Sequence, residues 1–406
     1  MTSIGIGLLG AFGIGNRGND VTLDAFVDGL EGALAEVRAD AGEPPVHAVA
    51  VVPAPESVAR PGIETVAWTR PRTSRSRAAR LRARFADLAW AWRVVGDLDA
   101  VVLAGGGLLE VTRLRAATTA WTVTTYTWCA RLRRRPVIFW SIGADDLPRG
   151  PARLLVRAAL RGATTITVRD AHSVRAVEAL GAPTPSEVLD VVLSLPVRDR
   201  TPDGGARPSV AVGVFNARGA TAADGSALDA DRYESELVRT VCGLVGGGRD
   251  VVLFGGAAID ADVIETIVTR CQVELGHQAS HLRTAAYDDY DTMRDTVATT
   301  DLAVVSRYHG TVAALTSGIP TVSLGYGPKN RDLMARFGQV RYCADLPVAR
   351  AQDVHELVDQ LESRATTEAA AIREVAETLR ERALAEFREL AGLLPAAGRP
   401  VDRIRS

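Results

Sequence analysis

The sequence predicts an α/β protein of two doubly wound parallel sheets followed by a C-terminal helical tail. Three observations predict it. Short, continuous apolar runs alternate with helically spaced segments, which is the pattern of parallel strands covered on both faces. Most of these runs end in a glycine or polar cluster, as expected where strand carboxyl ends meet a ligand. A polar stretch rich in Pro and Gly, Leu195–Pro208, divides the pattern into two halves. A chain of 406 residues also exceeds what one core usually supports. We therefore draw residues 1–196 as a first domain, 209–345 as a second and 346–406 as helices and tail. The two sheets are expected to turn their strand carboxyl ends toward a shared cleft.

The elements follow in order. Ser3–Leu9 is an apolar run that stops at the loop Gly10-Ala11-Phe12-Gly13-Ile14-Gly15-Asn16-Arg17-Gly18. Val21, Phe26, Leu30, Leu34 and Val37 then recur at helical spacing over Asn19–Val37. Val46–Val52 reads as a second strand, stopped by Pro53 and Pro55, and Glu64–Trp68 as a third. Leu98–Ala104, ending in Gly105-Gly106-Gly107, and Pro136–Ile142, ending in Gly143, are buried strands. Thr164–Val168 runs into Arg169-Asp170 and a helix reaching Leu180-Gly181. Beyond the linker, Ser209–Phe215, Asp250–Phe254, Leu302–Ser306 and Pro320–Leu324 are strands, with helices at Tyr233–Val245 and Asp260–Arg270. Residues 351–393 interleave Glu and Arg with Leu, Ala and Val, the pattern of a packed helix pair with a solvated face.

Composition excludes several classes. A formal charge of −2 points to no nucleic-acid partner. The uncharged runs are too short or too rich in Thr, Gly and Pro to span a bilayer. Residues 1–16 are apolar with no basic segment before them, so we expect no signal peptide and a cytoplasmic protein. Cys129, Cys242, Cys271 and Cys343 show no CxxC pairing, which argues against zinc and a disulfide framework. No metal or cofactor is implied. Of 47 basic residues only Lys329 is a lysine. A high-GC genome explains that bias, yet the surviving ammonium is chemically distinct from a guanidinium fork.

Gly13, Gly15 and Gly18 fit a dinucleotide-type glycine pattern, but the acidic residue expected after the second strand is missing. The loop still presents backbone N–H groups at a helix start, suited to an anion or a sugar hydroxyl. Asn16 and Asn19 are candidate ligands there, or residues that merely suit left-handed turns. Gly105, Gly106 and Gly107 allow close backbone approach by a ligand, or equally tight helix packing. The densest constellation is Ser306-Arg307-Tyr308-His309-Gly310-Thr311 together with Gly325-Tyr326-Gly327-Pro328-Lys329-Asn330. Both follow buried strands and should share one sheet edge. Arg307 offers a fork for a carboxylate or phosphate, Lys329 a point charge and His309 a proton near neutral pH. Such a set suits a doubly anionic substrate whose reaction needs a proton donor. Seven arginines lie between Arg70 and Arg84. They read as a solvated face, or as contact with acidic lipid at the inner side of a membrane or with a lipid pyrophosphate.

These segments together resemble the polysaccharide pyruvyl transferase family. The resemblance is carried by Gly10–Asp20, Val101–Leu109 (VVLAGGGLL), Val137–Gly143 (VIFWSIG), Ile166–Gly181 (ITVRDAHSVRAVEALG), Leu189-Asp190 and Val304–Lys329 (VVSRYHGTVAALTSGIPTVSLGYGPK). It implies a two-domain GT-B-like fold. It also implies transfer of the pyruvyl group of phosphoenolpyruvate onto two hydroxyls of a saccharide, free or lipid-linked, with release of phosphate. The family's Arg-x-His maps to Arg307 and His309 and its lysine to Lys329. Arg218, Arg169 and Tyr326 are carried as substrate-binding candidates, Arg218 with an offset. The family loop usually reads Asn-x-Gly-Asp-Glu, whereas this chain has Asn16-Arg17-Gly18-Asn19-Asp20.

The residue chemistry agrees independently. Phosphoenolpyruvate carries a carboxylate and a phosphate, and its methylene carbon must be protonated before a hydroxyl attacks. His309 is the candidate acid, Arg307 the carboxylate contact and Lys329 the phosphate contact. Asp145 and Asp20 are guesses for the base. The alternative is a GT-B glycosyltransferase holding the diphosphate of a nucleotide sugar with the same cations.

Overall fold

The computed structural model describes residues 4–38, 46–58, 60–69, 77–109, 116–147, 150–201, 204–222, 225–285 and 289–395. Two parallel sheets are present, each by itself a doubly wound unit. The first contains β1 (Ile4–Leu9), β2 (Val46–Val52), β3 (Glu64–Ala67), β4 (Ala100–Ala104), β5 (Val137–Ile142), β6 (Thr165–Val168) and β7 (Ser186–Glu187). Its order is β3-β2-β1-β4-β5-β6-β7. The helices between are α1 (Arg17–Arg38), α2 (Arg77–Gly96), α3 (Ala116–Leu132), α4 (Pro151–Gly162) and α5 (Ala171–Ala179). The second sheet contains β8 (Ser209–Val214), β9 (Asp250–Gly255), β10 (Leu282–Thr284), β11 (Leu302–Val305), β12 (Thr321–Gly325) and β13 (Cys343–Asp345). Its order, β10-β9-β8-β11-β12-β13, repeats the reversal of the first. Around it lie α6 (Ala230–Gly246), α7 (Ala261–Leu275), α8 (Tyr290–Ala298), α9 (Tyr308–Thr316), α10 (Pro328–Arg336) and α11 (Ala351–Glu362), with α12 (Ala365–Leu393) closing the chain.

Apart from β3, which lies half-buried at a sheet edge, the strands read from sequence coincide with the buried parts of both sheets. Val101, Val102 and Leu103 are at most 1% exposed, and burying such a side chain contributes ~1.5–3 kcal/mol. In parallel sheets crossed by helices on both faces, that term selects uninterrupted apolar runs. β5 carries a backbone irregularity near its end. Its register against β6 shifts between Phe139 and Ile142, and Ser141 has φ 53°. A left-handed non-glycine residue costs ~1–2 kcal/mol. Here the Ser141 hydroxyl donates to the Leu189 carbonyl at 2.8 Å, and its N–H donates to the Thr167 hydroxyl at 2.8 Å.

The chain divides into a unit of residues 1–14, 19–195 and 381–406, and a unit of residues 15–18 and 196–380. The long segments of the two units meet in sequence between Leu195 and Pro196. α11 and the start of α12 belong to the second unit, and the end of α12 belongs to the first. Within the first unit the Phe387 ring meets Phe26 edge-on at 5.5 Å. Glu386 accepts from the Leu189 N–H at 2.7 Å, and its pKa is raised by burial. Residues 70–76 of the arginine-rich segment lie outside the described residues, as do the side chains of 77–81. Among the described residues no helix is long and apolar enough to cross a membrane.

Candidate functional site

The site is built at the carboxyl ends of β8, β9, β11 and β12 in the second unit. β11 pairs with both β8 and β12, so the segments that follow them are neighbours. Arg307 precedes the first turn of α9, and His309 lies within that turn. Lys329 lies in the first turn of α10, behind Pro328. Both helices aim their N-terminal N–H groups toward the same edge, which favours an anion. Asn330 ties the two segments together: its amide donates to the Ser306 carbonyl at 3.4 Å while the residue is 1% exposed.

Arg307 is held by a partner that the sequence reading did not identify. Asp260, fully buried, accepts from Arg307 Nε at 2.6 Å and from Nη2 at 2.5 Å. The same carboxylate accepts from the N–H groups of Gly256 at 2.8 Å, Ala257 at 2.9 Å and Asn216 at 2.9 Å. Asp260 therefore fixes two loop segments around one guanidinium. Burial alone would lower the Arg307 pKa, but the hydrogen bonds and charge of Asp260 outweigh it and raise the value. The arginine stem passes so close to Gly256 that a Cβ there would lie 2.5 Å from Arg307 Cδ. The Nε side of the fork faces Asp260, which leaves the Nη1 end for other work.

Phe215, at the end of β8, links this arginine to the lysine. The Arg307 guanidinium carbon lies 4.8 Å from the Phe215 ring centroid. Phe215 stacks on Tyr326 at 4.7 Å with the planes 4° apart. Lys329 Nζ is 5.9 Å from the Tyr326 centroid. A guanidinium, two stacked rings and an ammonium thus form one continuous column. Beneath it, the Phe215 N–H donates to the Tyr233 hydroxyl at 3.1 Å, which lies 3.1 Å from the Ser306 hydroxyl. Burial pushes the Tyr233 phenol up to about 12, so it stays neutral.

His309 faces the glycine loop. A Cβ at Gly18 would lie 2.1 Å from His309 Nδ1, so only glycine permits the ring to sit there. The loop is fastened locally. The Ala258 N–H donates to the Gly15 carbonyl and the Arg17 N–H to the Gly256 carbonyl, each at 3.2 Å. Asn16 pairs with Ala257 as an antiparallel bridge. The His309 carbonyl accepts from the Tyr290 hydroxyl at 2.9 Å, and Tyr308 meets the imidazole edge-on at 5.2 Å.

The other candidates sit differently. Asn16 accepts from the Gly18 N–H at 3.1 Å, and the Asn19 amide donates to the Ala11 carbonyl at 3.1 Å, so both shape the loop. Asp20 accepts from the Gly13 N–H at 2.8 Å. Gly105 and Gly106 have φ 58° and 67°, and a Cβ on Gly105 would strike Thr22 at 2.7 Å. That is close helix packing, and Gly107 completes the same turn. Arg169 is 4% exposed and pairs with Asp190 at 2.7 Å, so it holds β6 to the segment after β7. Arg218 lies on the surface of the second unit, paired with Glu234 at 3.0 Å. Asp145 lies 3.3 Å from His172 in the first unit. A signal for Asp260 existed: it ends a Gly-Gly-Ala-Ala-Ile turn after a buried strand, at the edge where the cations gather.

No curated protein matches the sequence. Solved structures match its fold. The MnaA–UDP co-structure from S. aureus has a TM-score of 0.59 at 11% identity, covering 97% of this chain and 98% of that one. UDP-GlcNAc 2-epimerase from Neisseria meningitidis, bound to UDP-GlcNAc, gives 0.56 at 10% identity, covering 94% and 99%. MurG from Acinetobacter baumannii gives 0.52 at 13% identity, covering 96% and 100%. At such identities the likeness concerns the fold, which is that of GT-B enzymes. The family model described as polysaccharide pyruvyl transferase matches residues 48–328, a span that includes Asp260, Arg307 and His309, and the chain belongs to that family.

Proposed function

We propose that the chain transfers the pyruvyl group of phosphoenolpyruvate onto two hydroxyls of a saccharide, forming a cyclic ketal and releasing phosphate. The observation that carries this reading is the placement of a fixed Arg307 at the start of α9 and His309 in its first turn, with Lys329 on the next crossover. In this reading the Nη1 end of Arg307 holds the donor carboxylate and Lys329 meets the phosphate. His309 as imidazolium gives its proton to the methylene carbon, and positive charge builds at the carbon bearing the phosphate. One acceptor hydroxyl attacks that carbon and the second displaces phosphate. Of the two hydroxyl protons released, one restores His309 and the other leaves with phosphate. General acid catalysis of this kind contributes ~10²–10⁴-fold.

The test is phosphate release from phosphoenolpyruvate with candidate saccharides, with the ketal methyl group followed by NMR. His309→Ala should abolish turnover while phosphoenolpyruvate still raises the melting temperature. Retained turnover would remove the assignment. A second reading, nucleotide-sugar transfer, is favoured by the fold likeness to proteins solved with UDP or UDP-GlcNAc. Stabilisation by UDP-sugars and none by phosphoenolpyruvate would select it. The acceptor is a glycan or lipid-linked saccharide in the family reading.

A further inference from the structure

Three adjacent helices of the first unit carry an exposed surface that the chemistry above does not use. On α2, Phe85, Leu88 and Trp92 form a stripe at helical spacing, exposed by 67%, 45% and 42%. On α3, Trp128 and Leu132 are one turn apart, exposed by 42% and 70%, and Leu154 of α4 is also exposed. The face is continuous. The Arg133 guanidinium lies 4.2 Å from the Trp92 ring, joining α2 to the end of α3. A Cβ on Gly162 of α4 would meet Thr127 and Trp128 of α3 at 2.8 and 3.6 Å.

Its charge has one sign. Arg82, Arg93, Arg131 and Arg161 are exposed on these helices. The α3 and α4 sequences contain no acid, and the single acid of α2, Asp87, is 3% exposed. This concentration stands out in a chain of formal charge −2. Aromatic and aliphatic side chains interleaved with arginines, with no exposed acid on these helices, complement a surface that is apolar at depth and anionic above. A second copy fits poorly, since a two-fold contact would set these arginines against their own images. A nucleic-acid backbone would not require the aliphatic members Leu88, Leu132 and Leu154.

We propose that the exposed α2–α3–α4 face docks the protein on an anionic lipid bilayer. The proposal is independent of the donor chemistry. The test is flotation of the full chain with vesicles of phosphatidylcholine alone and of phosphatidylcholine mixed with phosphatidylglycerol, at low and high salt. Binding should occur on the anionic vesicles and weaken with salt. Neutralising a basic residue should weaken partitioning about fivefold, so the triple change Arg82→Gln, Arg93→Gln, Arg131→Gln should weaken it about a hundredfold. The pair Phe85→Ser and Leu132→Ser, at exposed positions, should weaken it roughly tenfold or more with an unchanged melting curve. Equal partitioning onto both vesicle types, no partitioning, or partitioning untouched by either set would overturn the proposal. So would a dimer in solution that the serine pair dissolves, or polynucleotide binding lost with the arginines and kept with the serines.

Discussion

Asp260→Asn tests the site at its support. The carboxylate accepts five hydrogen bonds, two from Arg307 and three from backbone N–H groups, with no exposure of its own. An asparagine amide offers one acceptor oxygen. Whichever way it turns, its NH₂ meets donors, either Asn216 N–H with Arg307 Nη2 or Gly256 and Ala257 N–H with Arg307 Nε. Two or three bonds are lost, and a mostly buried guanidinium is left without its counter-charge. Breaking a buried pair in this way costs ~3–5 kcal/mol. The Arg307 side chain keeps 18% exposure, so water offsets part of the penalty and the lower end, ~3 kcal/mol, applies. For a unit of this size that lowers the melting temperature by about 6–12 °C. Calorimetry on the full chain should show the loss in the second unit's transition. A double-mutant cycle with Arg307→Gln should return a coupling of roughly 2 kcal/mol or more, because the double variant no longer buries an unpaired charge. A loss below about 1 kcal/mol together with additive single changes would refute the view that Asp260 exists to hold Arg307.

Three other outcomes follow. Gly18→Ala should leave the melting temperature nearly unchanged but cut pyruvyl transfer about 100-fold, because the new methyl displaces the His309 ring and a misplacement near 1 Å costs that much; wild-type turnover would show that the imidazole position does not matter. Phe387→Ala should cost the first unit ~3–5 kcal/mol by emptying the edge-on contact with Phe26, read by calorimetry. Glu368, 5% exposed, accepts from Gln339 at 2.8 Å, Tyr342 at 3.2 Å and Arg341. Burial pushes its carboxyl up, but those partners outweigh it and hold the pKa below the ordinary value. A depressed folded value means that its stabilisation is complete above the unfolded value, ~4.3, and is lost as pH falls through the folded one. Denaturation midpoints between about pH 6 and pH 3 should therefore fall less steeply in Glu368→Gln than in wild type.

What the sequence made legible followed from burial on two faces. The long central strands are uninterrupted apolar runs because every residue in them is covered. β7, β10 and β13 have two or three residues each at sheet edges, and such segments lack the length to show a period. α3 was not read as a helix because Thr, Trp and Val are spread around it with little amphipathic contrast. The periodicity of residues 351–393 marked helix, but periodicity cannot say that the end of α12 packs on a unit built mostly from the first half of the chain. At the candidate site, Arg307, His309 and Lys329 stand out because they cluster in sequence. Asp260 was not, because its partner is 47 positions away. Arg169 and Arg218 show the converse: a guanidinium beside a strand end looks the same in sequence whether or not it also meets an acid, as Arg169 meets Asp190 and Arg218 meets Glu234.

The same contrast bears on why a chain so rich in arginine keeps one lysine at this edge. Arg307 is neutralised by Asp260 through two hydrogen bonds, so the pair adds orientation and little net charge. Under the proposed chemistry its task is shape, the presentation of a rigid fork end to a planar carboxylate. The charge that draws and holds a phosphate must then come from elsewhere. Lys329 supplies it from the first turn of α10, where the helix dipole acts in the same direction. An ammonium on a flexible stem follows the phosphate as it departs, while a guanidinium stacked on Tyr326 would be fixed over the ring. Lys329→Arg should therefore preserve donor binding within a few-fold and lower kcat, whereas Lys329→Met should raise the KM for phosphoenolpyruvate sharply. Equal kcat in the arginine variant would mean that the lysine acts through charge alone, and the division of work between fork and point charge would have to be abandoned.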